Sequence, residues 1–150
     1  MADNSQIRIV YVLLDGVGDL PHPDMYAEFV DAGDIILDLY KQRQYHLAMR
    51  QIMALADRAN QYIAESKPWE HAKHNEITQM TGIITQALNL YRILILYLSP
   101  VIPETARLSQ AFMHDDISWD NRATPLLNHT IAEYKHLLSR IETSMCPQND

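Results

Sequence analysis

The chain has almost no cysteine, no excess of positive charge, and no unbroken apolar run long enough for a bilayer. A single cysteine, Cys146, among 150 residues excludes an internal disulfide and a cysteine-built zinc site, and fits a reducing compartment. Lys and Arg number 12 against 19 Asp and Glu, a formal charge of −7. That balance argues against a broad electrostatic nucleic-acid platform, because nonspecific binding rests on cations that neutralise phosphates. Any RNA contact is therefore local. The longest apolar stretches, Ile7 to Leu14 and Leu88 to Leu98, are too short or too interrupted by polar residues to cross a membrane, and the opening Met1-Ala-Asp-Asn4 carries no basic signal-peptide head. The sequence reads as a soluble, cytoplasmic protein with no membrane contact.

Catalytic signatures are missing too. There is no Gly-x-x-x-x-Gly-Lys phosphate loop, no Gly-x-Gly-x-x-Gly opening into a helix, and no His-Glu-x-x-His pair. His71 and His74 could share a helix face at i, i+3, but they have no cysteine partner nearby and read as solvated or hydrogen-bonding residues, not metal ligands. Asp15-Gly-Val-Gly-Asp19 follows an apolar run in the manner of a strand that delivers an aspartate to a cation; without an α/β sheet in the rest of the chain it reads as a turn. Asp31, Asp34 and Asp38 fall on the polar side of a helical pattern and read as solvation. No metal or cofactor is implied.

What is present is helical periodicity in one domain. From Pro23, a good first-turn residue, apolar positions recur at Tyr26, Phe29, Val30, Ile36, Leu37 and Tyr40, with Gly33 on the same stripe where helices can approach closely. A second pattern begins at Tyr45 and runs through Ala48, Ile52, Leu55, Ala59 and Ile63 to stop at Ser66-Lys-Pro68. A short turn from Trp69 to Lys73 follows. A long helix then carries Ile77, Met80, Ile84, Leu88, Tyr91, Leu94, Ile95 and Leu98, with an apolar face that widens toward Ser99-Pro100, as it does where a helix runs between several neighbours. A helix from Pro103 to Met113, a polar connector with Trp119, and a last helix from about Thr130 to Ile141 complete an all-α antiparallel bundle. Ile7 to Leu14 reads locally as a strand but has no partner strand, so context must make it a helix or a docked arm. Trp119 reads as a wedge that packs the connector beside Ile117.

Trp69 stands apart. In Ala64-Glu-Ser-Lys-Pro-Trp-Glu-His-Ala-Lys73 the proline cannot continue the preceding helix and biases Lys67 toward an extended conformation, which presents the ring at a bend. There it either plugs the end of the bundle or offers its face to a ligand. Arg58, Lys67 and Lys73 lie close in sequence and could form a small positive rim, or a solvated scatter.

Ile52-Met-Ala-Leu-Ala-Asp-Arg-Ala-Asn-Gln-Tyr-Ile63, then Lys67-Pro-Trp69 and Ala72-Lys73, resemble the anticodon-binding domain of bacterial methionyl-tRNA synthetases. The likeness continues in register through Leu88-Asn-Leu-Tyr-Arg-Ile-Leu94, Tyr97-Leu-Ser-Pro-Val-Ile-Pro103, Ser118-Trp-Asp120 and Pro125-Leu-Leu-Asn-His129, and upstream through His22-Pro-Asp-Met-Tyr26. The resemblance implies an all-α bundle of the class I aminoacyl-tRNA synthetase anticodon-binding type over residues 19–141, with an atypical N-terminal segment at 1–18 and a flexible tail at 142–150. It implies a methionine tRNA anticodon loop as partner, with Trp69 stacked on the wobble base and Pro68 shaping the same edge; Lys67, Arg58 and Lys73, near that bend in sequence, are the cations expected to join the contact.

Two departures bear on function. The family's catalytic signatures, of the His-Ile-Gly-His and Lys-Met-Ser-Lys-Ser type, are absent from these residues, so the chain by itself is not expected to aminoacylate, and a separately encoded catalytic domain is an expected partner. Residues 1–17 do not match the family's N-terminal helix, whose Asn and Arg help read the anticodon, which leaves a homodimer and a helical remnant or protein-interaction domain without RNA binding as the alternatives.

Overall fold

A computed structural model describes residues 18–133, 135 and 137. The apolar segment Ile7 to Leu14 lies outside them. Among the described residues five helices follow in order: α1 (Pro23–Lys41), α2 (Tyr45–Ser66), α3 (Pro68–Lys73), α4 (Ile77–Leu98) and α5 (Pro103–Met113). The described residues contain no strand. Proline opens α1, α3 and α5, in each case at a first-turn position where its missing N–H leaves no helical bond unmade. Short connections make α1 and α2, and α4 and α5, antiparallel neighbours, and α4 packs against all four other helices.

The stripes on α1 and α2 form the core as their spacing predicts. Tyr26, Phe29, Gly33 and Ile36 are buried on α1, and Ala48, Ile52, Leu55 and Ala59 on α2. Phe29, Ile36 and Ile52 are wholly shielded from water, and each contributes about 1.5–3 kcal/mol by that burial. Gly33 meets α4 at close range: a Cβ there would lie 2.6 Å from the Tyr97 hydroxyl.

The buried face of α4 differs from the expected stripe. Ile77 is exposed, and Ile84, Leu88 and Tyr91 are only partly covered, whereas Thr81, Thr85, Gln86, Asn89 and Arg92 point inward. Each inward polar group has a partner that makes this choice affordable. Thr81 and Thr85 donate to carbonyls one turn back, Asn89 grips the backbone N–H and C=O of Leu126, and Gln86 does the same to His22. Helical period alone cannot distinguish an apolar face from a polar face whose partners come from distant segments. The last turns do widen as expected, with residues 92–97 buried without a break. By length and composition α4 is apolar enough to cross a membrane, at mean hydropathy 1.3, contrary to the reading of its sequence as too interrupted; 61% of that window is buried inside the bundle.

The connector after α5 is held by a polar cluster. Arg92 Nε donates to Asp115 at 2.6 Å and Nη1 to the Thr124 carbonyl at 2.9 Å. Tyr26 donates its hydroxyl to the Arg122 carbonyl, and Arg122 donates to Asp34 and to the Trp119 carbonyl. Asp34 therefore fixes the connector as well as facing water. Trp119 is the wedge its setting implied: its ring stacks on Tyr97 with centroids 5.3 Å apart, beside buried Ile117, and the Arg122 guanidinium covers it. The helix expected from Thr130 does not form over residues 130–133, where the Ala132 N–H instead donates to the Phe112 carbonyl at the end of α5. The remainder of that expected helix falls mostly outside the described residues.

Candidate nucleic-acid interface

α2 ends and α3 begins through one residue. Lys67 adopts φ 45°, ψ 59°, in the left-handed region, and its N–H closes the last turn of α2 on the Ile63 carbonyl at 3.0 Å. The extended conformation expected before Pro68 is not used. Both conformations avoid the clash that a following proline imposes on the right-handed helical region; the left-handed one also ends the helix and turns the chain within a single residue. Pro68 then starts α3, and the Lys67 carbonyl accepts the Glu70 N–H at 2.9 Å.

This geometry lifts Trp69 off the bundle. Its side chain is 48% exposed, and no residue of α3 is buried. The helix stop and the proline fix the backbone that carries this solvent-facing indole, so less backbone freedom is left to be lost if the ring meets a ligand. The end-plug alternative for Trp69 does not fit this exposure.

The neighbouring cations are less available than their sequence positions suggest. Lys73 Nζ donates to Glu70 at 2.9 Å. That hydrogen bond and charge, with smaller contributions from His74 and Lys67, hold the Glu70 carboxyl below the usual carboxylate range. Lys73 is thus paired with an acid, while Lys67 acts on the same carboxyl only through its charge. His71 pairs with Glu76, and His74 Nδ1 lies 2.9 Å from the Glu70 carbonyl, so both histidines serve the local turn.

Arg58 is not part of that rim. It lies nine residues before Lys67, about 14 Å of helical rise away, and pairs with Glu28 of α1. There it lines an open cavity of about 410 Å³ together with the 21–25 segment and Glu28. The sequence reading passed over two residues that shape this place, His22 and Gln86. Fully buried Gln86 accepts the His22 N–H and donates to the His22 carbonyl, each at 3.2 Å. The His22 and Tyr62 rings form a T-shaped pair, centroids 5.3 Å apart. A histidine between two prolines, Pro21 and Pro23, was the visible sign of a rigid presentation.

An exposed tryptophan at a proline-fixed turn, on an all-α antiparallel scaffold, can stack on an unpaired base without a wide basic surface. The family model for the anticodon binding domain of methionyl tRNA ligase matches residues 26–140, well over half of the chain, and spans both the scaffold and the Trp69 turn. The chain belongs to the family of methionyl tRNA ligase anticodon-binding domains.

Proposed function

We propose that the chain binds the anticodon loop of methionine tRNA, and that Trp69 stacks on the wobble base. The observation that carries this reading is the exposed indole held between the left-handed Lys67 and the first turn of α3. Pro68 shapes the edge beside it, Lys67 and, once its contact with Glu70 loosens, Lys73 meet loop phosphates, and Arg58 acts at a distance, from the cavity on α2. In the cytoplasm, a catalytic domain on another polypeptide is the partner that would charge the bound tRNA, since no acylation chemistry is assigned to these residues. Self-association is the remaining element, and sizing with and without RNA reads it. The test of the main claim is a fluorescence titration of an anticodon stem-loop against the chain and its Trp69→Ala variant. Stacking on one aromatic is worth roughly 1–3 kcal/mol, so the variant should bind about five- to more than a hundredfold more weakly.

One observation favours a second reading, a helical interaction domain that no longer binds RNA. Lys73 and Arg58 are each paired with a carboxylate, on a chain of net charge −7. Under that reading the stem-loop shows no saturable binding even at near-millimolar RNA, and a CAU loop and a scrambled loop behave alike.

A further inference from the structure

We infer that the open cavity between the start of α1 and the middle of α2 is a second nucleobase subsite, with the His22 ring as its platform and the Arg58–Glu28 pair as its reader of the base edge. The inference rests on the RNA-binding reading above and adds a site separate from Trp69.

Position comes first. α1 begins and α2 ends toward the same end of the bundle, and Arg58 lies about two turns along α2 from the end that leads into α3 and Trp69. Arg58 and Gln86 each lie roughly 12–14 Å of helical rise from the α3 turn, on α2 and α4 respectively. A few splayed nucleotides of an unpaired loop cover such a separation.

Preorganisation comes second. Gln86 is fully buried, and both ends of its amide are spent on the N–H and C=O of one residue, His22. The prolines on either side restrict the flanking backbone, and the ring meets that of Tyr62 in a T-shaped pair at 77°. His22 itself remains exposed. Its backbone is therefore held in place while the residue stays exposed, which lowers the ordering cost of a contact.

Chemistry comes third. The cavity, about 410 Å³, is larger than a base. Glu28 and Asp24 outnumber the single guanidinium of Arg58 on its walls, so the site repels phosphate and leaves the backbone of a bound strand outside. The Arg58–Glu28 pair is about half exposed, at 46% and 51%. It sets hydrogen-bond donors beside acceptors, the alternation that the Watson–Crick edge of an unpaired base presents.

The test uses the full chain and a fluorescent anticodon stem-loop of methionine tRNA, with His22→Ala, Glu28→Gln and Trp69→Ala variants and with loops made abasic at one anticodon position at a time. We expect His22→Ala and Glu28→Gln to weaken binding by about fivefold or more, the low end for loss of one base contact, at unchanged melting temperature. The His22→Ala effect should vanish with one abasic loop, and the Trp69→Ala effect with a different one. If Trp69→Ala weakens binding while both cavity variants bind as the parent does, the subsite is wrong and the anticodon reading stands. If His22→Ala weakens all abasic loops equally, His22 acts only through the scaffold, and the subsite is again overturned. If the parent chain binds none of the loops, both readings fall together.

Discussion

Tyr97 lies flat against Trp119, ring centroids 5.3 Å apart at an interplanar angle of 28°, while its hydroxyl donates to the Phe29 carbonyl at 2.5 Å. One side chain of α4 thereby fastens α1 on one side and the connector on the other. The same hydroxyl leaves no space over Gly33.

Gly33→Ala places a methyl group 2.6 Å from that hydroxyl. Alanine gains about 1 kcal/mol of helix propensity, but overpacking costs about 1–3 kcal/mol and the disturbed hydrogen bond about 1 kcal/mol more. A net loss of about 1–3 kcal/mol should appear in urea unfolding. Gly82→Ala meets only Pro21 Cγ, at 3.2 Å, and should leave stability within about 0.5 kcal/mol of the parent, because propensity offsets a contact that can relax.

Burial holds the Tyr97 phenol neutral and pushes its pKa up to about 12, against an ordinary value near 10. The folded pKa exceeds the unfolded one, so this stabilisation is complete below about pH 10 and is lost as pH rises toward 12. Burial raises the phenols of Tyr26, Tyr40 and Tyr62 in the same direction. Chemical denaturation across this range should show stability falling steeply with alkali. Tyr97→Phe should flatten that decline while lowering neutral-pH stability by about 1 kcal/mol through the lost hydrogen bond.

Arg92 is 3% exposed in its side chain and pairs with Asp115 at 2.6 Å. Asp115→Ala leaves the guanidinium buried with only the Thr124 carbonyl and the Tyr26 hydroxyl as partners, which should cost about 3–5 kcal/mol. Replacing both residues together, with Arg92→Met and Asp115→Leu, should cost less than the single change, because no unpaired charge remains. A double-variant loss equal to the sum of the two single losses would count against a coupled pair.

The legible part of this molecule was its local physics. Periodicity and first-turn prolines placed α1, α2, α4 and α5 at their observed bounds, because Pro23, Pro68, Pro103 and Ser99-Pro100 act on their own neighbours. The family likeness and the exposed Trp69 turn were legible for the same reason. The inward face of α4 was not, since Gln86 and Asn89 become core residues only when His22 and Leu126, distant in sequence, supply their partners. Nor was the pairing of Arg58 with Glu28 across two helices, which moved Arg58 from the Trp69 rim to a cavity wall. The stretch at 130–133 shows the reverse error: a helical pattern was overridden when the Ala132 N–H found the Phe112 carbonyl.

The central claim, that Trp69 reads the anticodon by stacking, is tested most directly by the affinity ratio of one CAU stem-loop for the parent chain, Trp69→Phe and Trp69→Ala. A graded loss is expected: Phe, which keeps a smaller π-face, weakens binding modestly, and Ala weakens it about five- to more than a hundredfold, with the parent preferring CAU to a scrambled loop. Equal affinity of the parent and the Ala variant for the CAU loop would contradict it.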